Sequence, residues 1–246
     1  SCAHAGIRLS DAEAEAVGRK IWKNESGATI DGLTHWNKGE NFGSFGIGHF
    51  IWYKAGEPGP FTESFPGLLD ALTASGRTLP GWLQGKPSCP WSDRDAFFGD
   101  FRSPRMNELR QLLADTIGTQ ARYAADRLEA ALPKILAAAP SSERKALQAR
   151  FDRVAAVPNG VYTLMDYVNF KGEGINPAER YNGEGWGLLQ VLEGMADAPS
   201  GQASVEAFAK SADAALTRRV ANSPPARDEN RWLPGWRKRL LTYLEN

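Results

Sequence analysis

The chain lacks an excess of charge of either sign: 29 lysines and arginines stand against 29 aspartates and glutamates over 246 residues. No overall field draws it to nucleic acid or to an anionic membrane surface, and no nucleic-acid partner is expected. Histidine is scarce, and His4, His35 and His49 are scattered without metal-ligand spacing, so no metal site is expected. Two cysteines, Cys2 and Cys89, are too few for a disulfide scaffold. No run approaches the ~18 consecutive apolar residues of a membrane helix. The Ala/Leu-rich stretch 128–140 is short and contains Pro133. Internal repeats and low-complexity tracts are missing too.

The chain starts Ser1-Cys2-Ala3-His4-Ala5 without Met, which reads as a processed or trimmed start from which an export signal has gone. Cys2 is then a lipid-attachment residue, a partner for Cys89 in one disulfide, or an unpaired thiol. The first two readings require export.

Hydrophobic residues make up 42% and charged residues 24%, an ordinary globular balance that rules out a disordered or fibrous chain. Ser10-Asp11-Ala12-Glu13 has the form of a capping box, so a helix should start there. Ala14, Val17, Ile21 and Trp22 continue it as an apolar stripe to about Asn24. Glu25 falls at its C-terminus, and Gly27 is a natural stop. From 31 to 53 the composition turns to Gly, Asn, Ser and aromatics, with Phe45, Ile47 and 50–53 as the expected strand residues. Prolines divide 56–100 into an irregular, insertion-like region with one helix near 65–75. Pro104 opens a long helical zone reaching Leu128, and further helices are expected over 142–154, 161–170, 187–196, 204–220 and 235–244. The sum is a mainly α protein with a small glycine-rich β-hairpin, read as a single domain over 1–246.

The chemistry concentrates in Asn24-Glu25-Ser26-Gly27 and in Ser44-Phe45-Gly46-Ile47-Gly48-His49-Phe50. A carboxylate at a helix C-terminus meets partial negative charge, and Trp22, Trp36 and Trp52 are candidates to exclude water from it. Both effects favour the protonated carboxyl that a general acid needs. Other chemistries find no footing. Ser26 has no nucleophile elbow around it, Gly85-Lys86-Pro87-Ser88 is not a P-loop, and Gly43, Gly46 and Gly48 do not make a dinucleotide fingerprint.

These residues resemble a known superfamily. Ser44-Phe45-Gly46-Ile47-Gly48-His49 is similar to the Thr-Ile-Gly-Ile-Gly-His hairpin of phage-type lysozymes. Asn24-Glu25-Ser26-Gly27 is similar to the Glu-Ser-Gly motif of goose-type lysozymes and soluble lytic transglycosylases. Downstream, 164–172 resembles the phage-lysozyme helix that carries an Asn-Phe-plus-Gly pattern. The resemblance covers 12–50 and 164–190 and leaves the intervening stretch unmatched. It implies a lysozyme-like fold and cleavage of the glycan strands of peptidoglycan, as a muramidase or a lytic transglycosylase, with Glu25 as the acid. No cofactor is implied, because acid catalysis and substrate distortion carry this chemistry. The expected location is the periplasm or cell envelope, and the expected partner is the peptidoglycan strand.

The phage enzymes also carry an aspartate between glutamate and hairpin. Glu40 is the first candidate for that role here and Asp31 the second, and Ser44 keeps the hydroxyl of the hairpin threonine. Ser26, His49, Tyr162 and Asn169 are the candidate substrate contacts. Structural roles compete for several of these: His49 reads first as a histidine bonding under the hairpin, and Tyr162 and Asn169 as core or capping residues. Trp186-Gly187-Leu188-Leu189-Gln190 has a local likeness to the Gly-Leu-Met-Gln of lytic transglycosylases, at a spacing from Glu25 that does not fit. Trp82, Trp91, Trp232 and Trp236 read as core rather than sugar platforms. The rival functions are a non-catalytic envelope or glycan-binding protein of the same fold and a chitinase- or chitosanase-like glycosidase.

Overall fold

The computed structural model describes residues 6–245. They are mainly helical, with one three-stranded antiparallel sheet and one two-stranded hairpin. The chain divides into two compact units, an N-terminal unit of residues 9–124 and a C-terminal unit of residues 6–8 and 125–245. No helix among the described residues is long and apolar enough to cross a membrane.

The N-terminal unit opens with α1 (Asp11–Ser26), whose capping box forms as expected: Glu13 N donates to Ser10 Oγ, and Ser10 N donates to the Glu13 carboxylate. A 3-10 turn (Asp31–Leu33) leads into β1 (Thr34–His35), β2 (Phe42–Phe45) and β3 (Phe50–Tyr53), ordered β1-β2-β3. Then come α2 (Phe65–Ala74), a 3-10 turn (Gly81–Leu83), the short α3 (Arg94–Gly99) capped by Asp93, and α4 (Pro104–Ala114) capped by Ser103. Next is α5 (Ile117–Ala137), and the division between the units falls inside it, after Ala124.

The region expected as an irregular insertion contributes to the core of this unit. Phe65, Trp91 and Phe97 come from it and surround Phe45, with ring centroids 5.1, 5.9 and 6.1 Å away. Trp52 and Trp36 complete the cluster, against Phe65 at 4.5 Å and Phe97 at 5.8 Å. Each such ring buries roughly 150–250 Å², so a handful of them supplies most of a small core. Trp91 is therefore a core residue, as the sequence suggested, whereas Trp232, read as core with it, is 51% exposed and Trp82 and Trp236 are half-buried.

The C-terminal unit holds the rest of α5, then α6 (Arg144–Val154), α7 (Pro158–Lys171), the hairpin β4 (Arg180–Tyr181) and β5 (Glu184–Gly185), α8 (Leu188–Gly194), α9 (Gln202–Asn222) and α10 (Leu233–Leu241). α9 packs against α6, α7, α8 and α10 through Val205, Phe208, Ala212, Ala215 and Leu216, all buried. At Gly160, a Cβ would lie 1.7 Å from Val154 O, so the start of α7 can approach the end of α6 only with glycine there.

Polar groups are built into this second core. Asp166, fully buried, accepts both arms of Arg239 at 2.8 Å and the Tyr243 hydroxyl at 2.6 Å. Glu229 accepts Arg219 at 2.8 and 3.0 Å and Tyr181 Oη at 2.9 Å. Lys171 is 9% exposed, with Nζ 3.4 Å from the ring centre of Trp236 and 4.0 Å from that of Phe170. Burial, aided by the charge of Arg219, pushes its amine down to about 7.

Candidate active site

Glu25 owes its position to the way α1 ends. Gly27 takes the left-handed conformation (φ 63°) and donates to Lys23 O at 2.9 Å, while Ala28 N reaches Trp22 O at 3.2 Å. Such a C-cap satisfies carbonyls that the last turn would leave open. The following loop folds back on the helix: Trp22 Nε1 donates to Thr29 O at 3.0 Å, and Thr29 Oγ1 to Ser26 O at 2.8 Å. The Ser26 hydroxyl donates to Trp22 O at 3.2 Å, so this candidate substrate contact is tied to its own helix.

The hairpin turn 46–49 is fixed at three points. Gly46 N donates to Leu33 O at 2.8 Å, Ile47 N to Gln120 Oε1 at 3.0 Å, and His49 N to Gly46 O at 3.3 Å. Gly46 has φ 75°, and a Cβ on it would sit 2.4 Å from Gln120 Oε1, so both its dihedral and its surroundings require glycine. Ile47 lies against α1 at Gly18, where an added Cβ would come within 3.2 Å of Ile47 Cδ1. Ile47 was expected in a strand and lies in the turn, because Gln120 and Leu33 bond the backbone there before β3 begins.

The turn places His49, itself at φ 47°, beside the end of α1. Its Nδ1 is 3.8 Å from Glu25 Oε2, and the two side chains are 37% and 17% exposed. That separation is an electrostatic contact, longer than a hydrogen bond. A mostly buried carboxylate thus faces a more exposed imidazole.

The other candidates are distributed differently. Ser44 lies on the central strand, opposite His35 and Ile51 in register, and is 6% exposed. Asp31 accepts a two-pronged bond from Arg102 at 3.0 and 2.8 Å. The buried Arg110 stands 4.0 Å from Asp31 and bonds Thr34 Oγ1 at 2.9 Å. Glu40 accepts from Asn37 Nδ2 at 3.0 Å, and Asn37 Oδ1 is 2.8 Å from His35 Nε2. Both carboxylates are engaged by neighbours within their own loops or by α4 and the turn before it. Trp36 and Trp52 belong to the aromatic core, their Nε1 groups donating to Glu40 O and Pro87 O, so of the three tryptophans proposed to shield Glu25 only Trp22 lies on its helix.

Tyr162 and Asn169 belong to the C-terminal unit. Tyr162 is 1% exposed, its hydroxyl 2.7 Å from Thr242 Oγ1 and its ring packed edge-on against Tyr243, which makes it a core residue. Asn169 is exposed on α7. Cys89 is a free, buried thiol pushed up to about 12 by burial; Cys2, its candidate partner, lies outside the described residues. No group of three or more His, Cys, Asp or Glu side chains among the described residues is placed to hold a metal ion.

Gln120 and Arg102, which shape this site, carry no local signal, standing 73 and 71 residues from the groups they bond. Comparison with protein-family models, curated proteins and solved structures finds no match to the chain.

Proposed function

We propose that the protein cleaves the glycan strands of peptidoglycan, with Glu25 as the acid, in the lysozyme-like manner its motifs resemble. The observation that carries this reading is the meeting of Glu25, at the end of α1, with His49 of the glycine-rich turn at 3.8 Å. Two motifs that the resemblance pairs are brought together by the fold, around a carboxylate that is mostly shielded from water.

In this reading Glu25 gives its proton to the glycosidic oxygen as the bond to that oxygen breaks. The carboxylate left behind then takes the proton of the attacking hydroxyl, from water in a hydrolase or from the sugar itself in the lytic route. His49 serves as a positioning residue for the carboxylate. The engagement of Asp31 by Arg102 and of Glu40 by Asn37 favours Glu25 acting alone, as acid and then base. Action on this substrate places the protein in the periplasm or cell envelope.

Incubation of the purified protein with purified peptidoglycan, followed by end-group analysis, tests the reading. Soluble fragments with 1,6-anhydro ends are expected, in equal yield from wild type, Asp31→Asn and Glu40→Gln. Reducing ends, lost in one of those variants at unchanged thermal stability, would restore a second carboxylate. Absence of any fragment from the wild type would overturn the proposed activity.

A further inference from the structure

In the C-terminal unit, the segment 172–194 folds around Gln190. Its Nε2 donates to Gly174 O at 3.0 Å, and its Oε1 accepts from Gly187 N at 3.1 Å. Gly174 (φ 84°) would bring a Cβ within 2.4 Å of Gln190 Oε1, and a Cβ on Gly187 would meet the Gly174 backbone at 2.2 Å. The Trp186-Gly187-Leu188-Leu189-Gln190 stretch is therefore a bracket for this loop, which accounts for it without catalysis.

Beside the bracket, the β4–β5 hairpin helps to form a cavity of about 410 Å³ lined by Arg180, Gly183, Glu184, Gln190, Glu193 and Arg218. Volumes of roughly 300–1,000 Å³ suit small-molecule ligands. Glu184 is already engaged, by Arg218 Nε at 3.5 Å and Asn222 Nδ2 at 3.4 Å. Arg180 spends two N–H groups on Gly183 O and Gly174 O, at 3.2 and 3.3 Å, which fix its plane without neutralising its charge. Among the described residues the Glu193 carboxylate has no hydrogen bond or ion pair. Burial and the nearby Glu143 push this carboxyl up, while Arg180 pulls it down without touching it. Of the two arginines and two glutamates that line the cavity, Arg218 and Glu184 face each other, while Arg180 and Glu193 lie within each other's field and unjoined.

We propose that this cavity binds an α-amino-acid zwitterion, its ammonium group on Glu193 and its carboxylate on Arg180. Glu193 is exposed at the rim of this cavity and Arg180 half-buried; a simple anion would be repelled by Glu193, and a neutral sugar would use neither charge. A ligand carrying both signs on one carbon satisfies both walls with charge-assisted hydrogen bonds. The zwitterion comes either from a free amino acid or from the far end of a diamino acid within a peptide. The proposal stands independently of the role of Glu25.

Calorimetric titration of the full chain with alanine of either hand, N-acetylalanine, alanine methyl ester and a γ-D-glutamyl-diaminopimelate dipeptide tests it. Saturable binding of alanine or the dipeptide is expected, with both blocked alanines at least about tenfold weaker than alanine. Tighter binding of the dipeptide marks the peptide as the source, and equal binding the free amino acid. Glu193→Gln, whose carboxylate holds no part of the fold, should keep the melting temperature and weaken binding about tenfold. Wild-type affinity should fall with pH as Glu193 takes up its proton. Equal binding of the blocked forms, wild-type affinity in Glu193→Gln, or no saturable binding of either zwitterion would overturn the proposal.

Discussion

The largest fully buried side chains of the N-terminal unit are Trp36, Trp52, Trp91, Phe45, Phe50, Phe65 and Phe97, with Arg110 among them. Those of the C-terminal unit are Phe151 and three tyrosines, Tyr162, Tyr167 and Tyr243, each with its hydroxyl bonded to a protein oxygen. Asp166 accepts the hydroxyl of Tyr243, and Glu229 and Lys171 of the same unit are buried as well. The first unit is ordered by ring packing, which is insensitive to pH and depends on shape. The second is ordered by a polar network, in which the loss of one partner strands another. The Glu25–His49 pair belongs to the ring-packed unit, where the bonds of Gly46 N to Leu33 O and Ile47 N to Gln120, with Ile47 against Gly18, hold the turn that carries His49.

The contrast can be broken in four ways, in order of expected effect. Trp91→Ala removes a fully buried ring of the aromatic cluster and the bond from Nε1 to Asp100; it should cost about 4 kcal/mol by chemical denaturation, with little change between pH 6 and pH 9. A cost below ~1 kcal/mol would mean that the cluster does not order its unit.

Asp166→Asn, in the other unit, should cost about 3 kcal/mol, because Arg239 loses its counter-charge in a buried setting. A neutral outcome would make the network dispensable.

Lys171 gives the pH dependence its sign. Its amine titrates near 7 when folded, against 10.5 as the ordinary value. Between these values the unfolded chain binds more protons, so stability rises with pH; the penalty is fully present below the folded value and gone above the unfolded one. The wild type should gain about 2 kcal/mol relative to Lys171→Met between about pH 7 and pH 9. Parallel pH profiles for the two proteins would show that Lys171 is not held neutral. Tyr162→Phe, the mildest change, removes one buried hydrogen bond to Thr242 and should cost about 1 kcal/mol in a thermal melt. A larger loss would show that the Thr242 bond is coupled to the Asp166 network.

Local features were legible in the sequence and distant ones were not. The capping box at Ser10, the apolar stripe of α1 and the stop at Gly27 all stand where residue chemistry puts them. The long helical zone from Pro104 breaks at Asp115–Thr116 into α4 and α5, with Thr116 Oγ1 turned back to Leu112 O and Gln120 Nε2 to Leu113 O. A helical period continues across such a break, so the pattern alone does not reveal it. The β4–β5 hairpin did have a signal, Asn182-Gly183 at its turn, both at positive φ. At the site, Glu25 and the turn were legible as separate motifs. The pairing of Asp31 with Arg102 was not, because nothing local distinguishes a carboxylate held by a distant arginine from one left to do chemistry.

The most direct test of the central claim is the rate of peptidoglycan solubilisation by Glu25→Gln at matched protein concentration and melting temperature. Glutamine keeps the shape beside His49 and removes the transferable proton, so the rate should fall by a factor of about 10² to 10⁴, the range typical of losing a general acid. Solubilisation at the wild-type rate by a folded Glu25→Gln protein would contradict the claim and return Glu25 to a structural place at the end of α1.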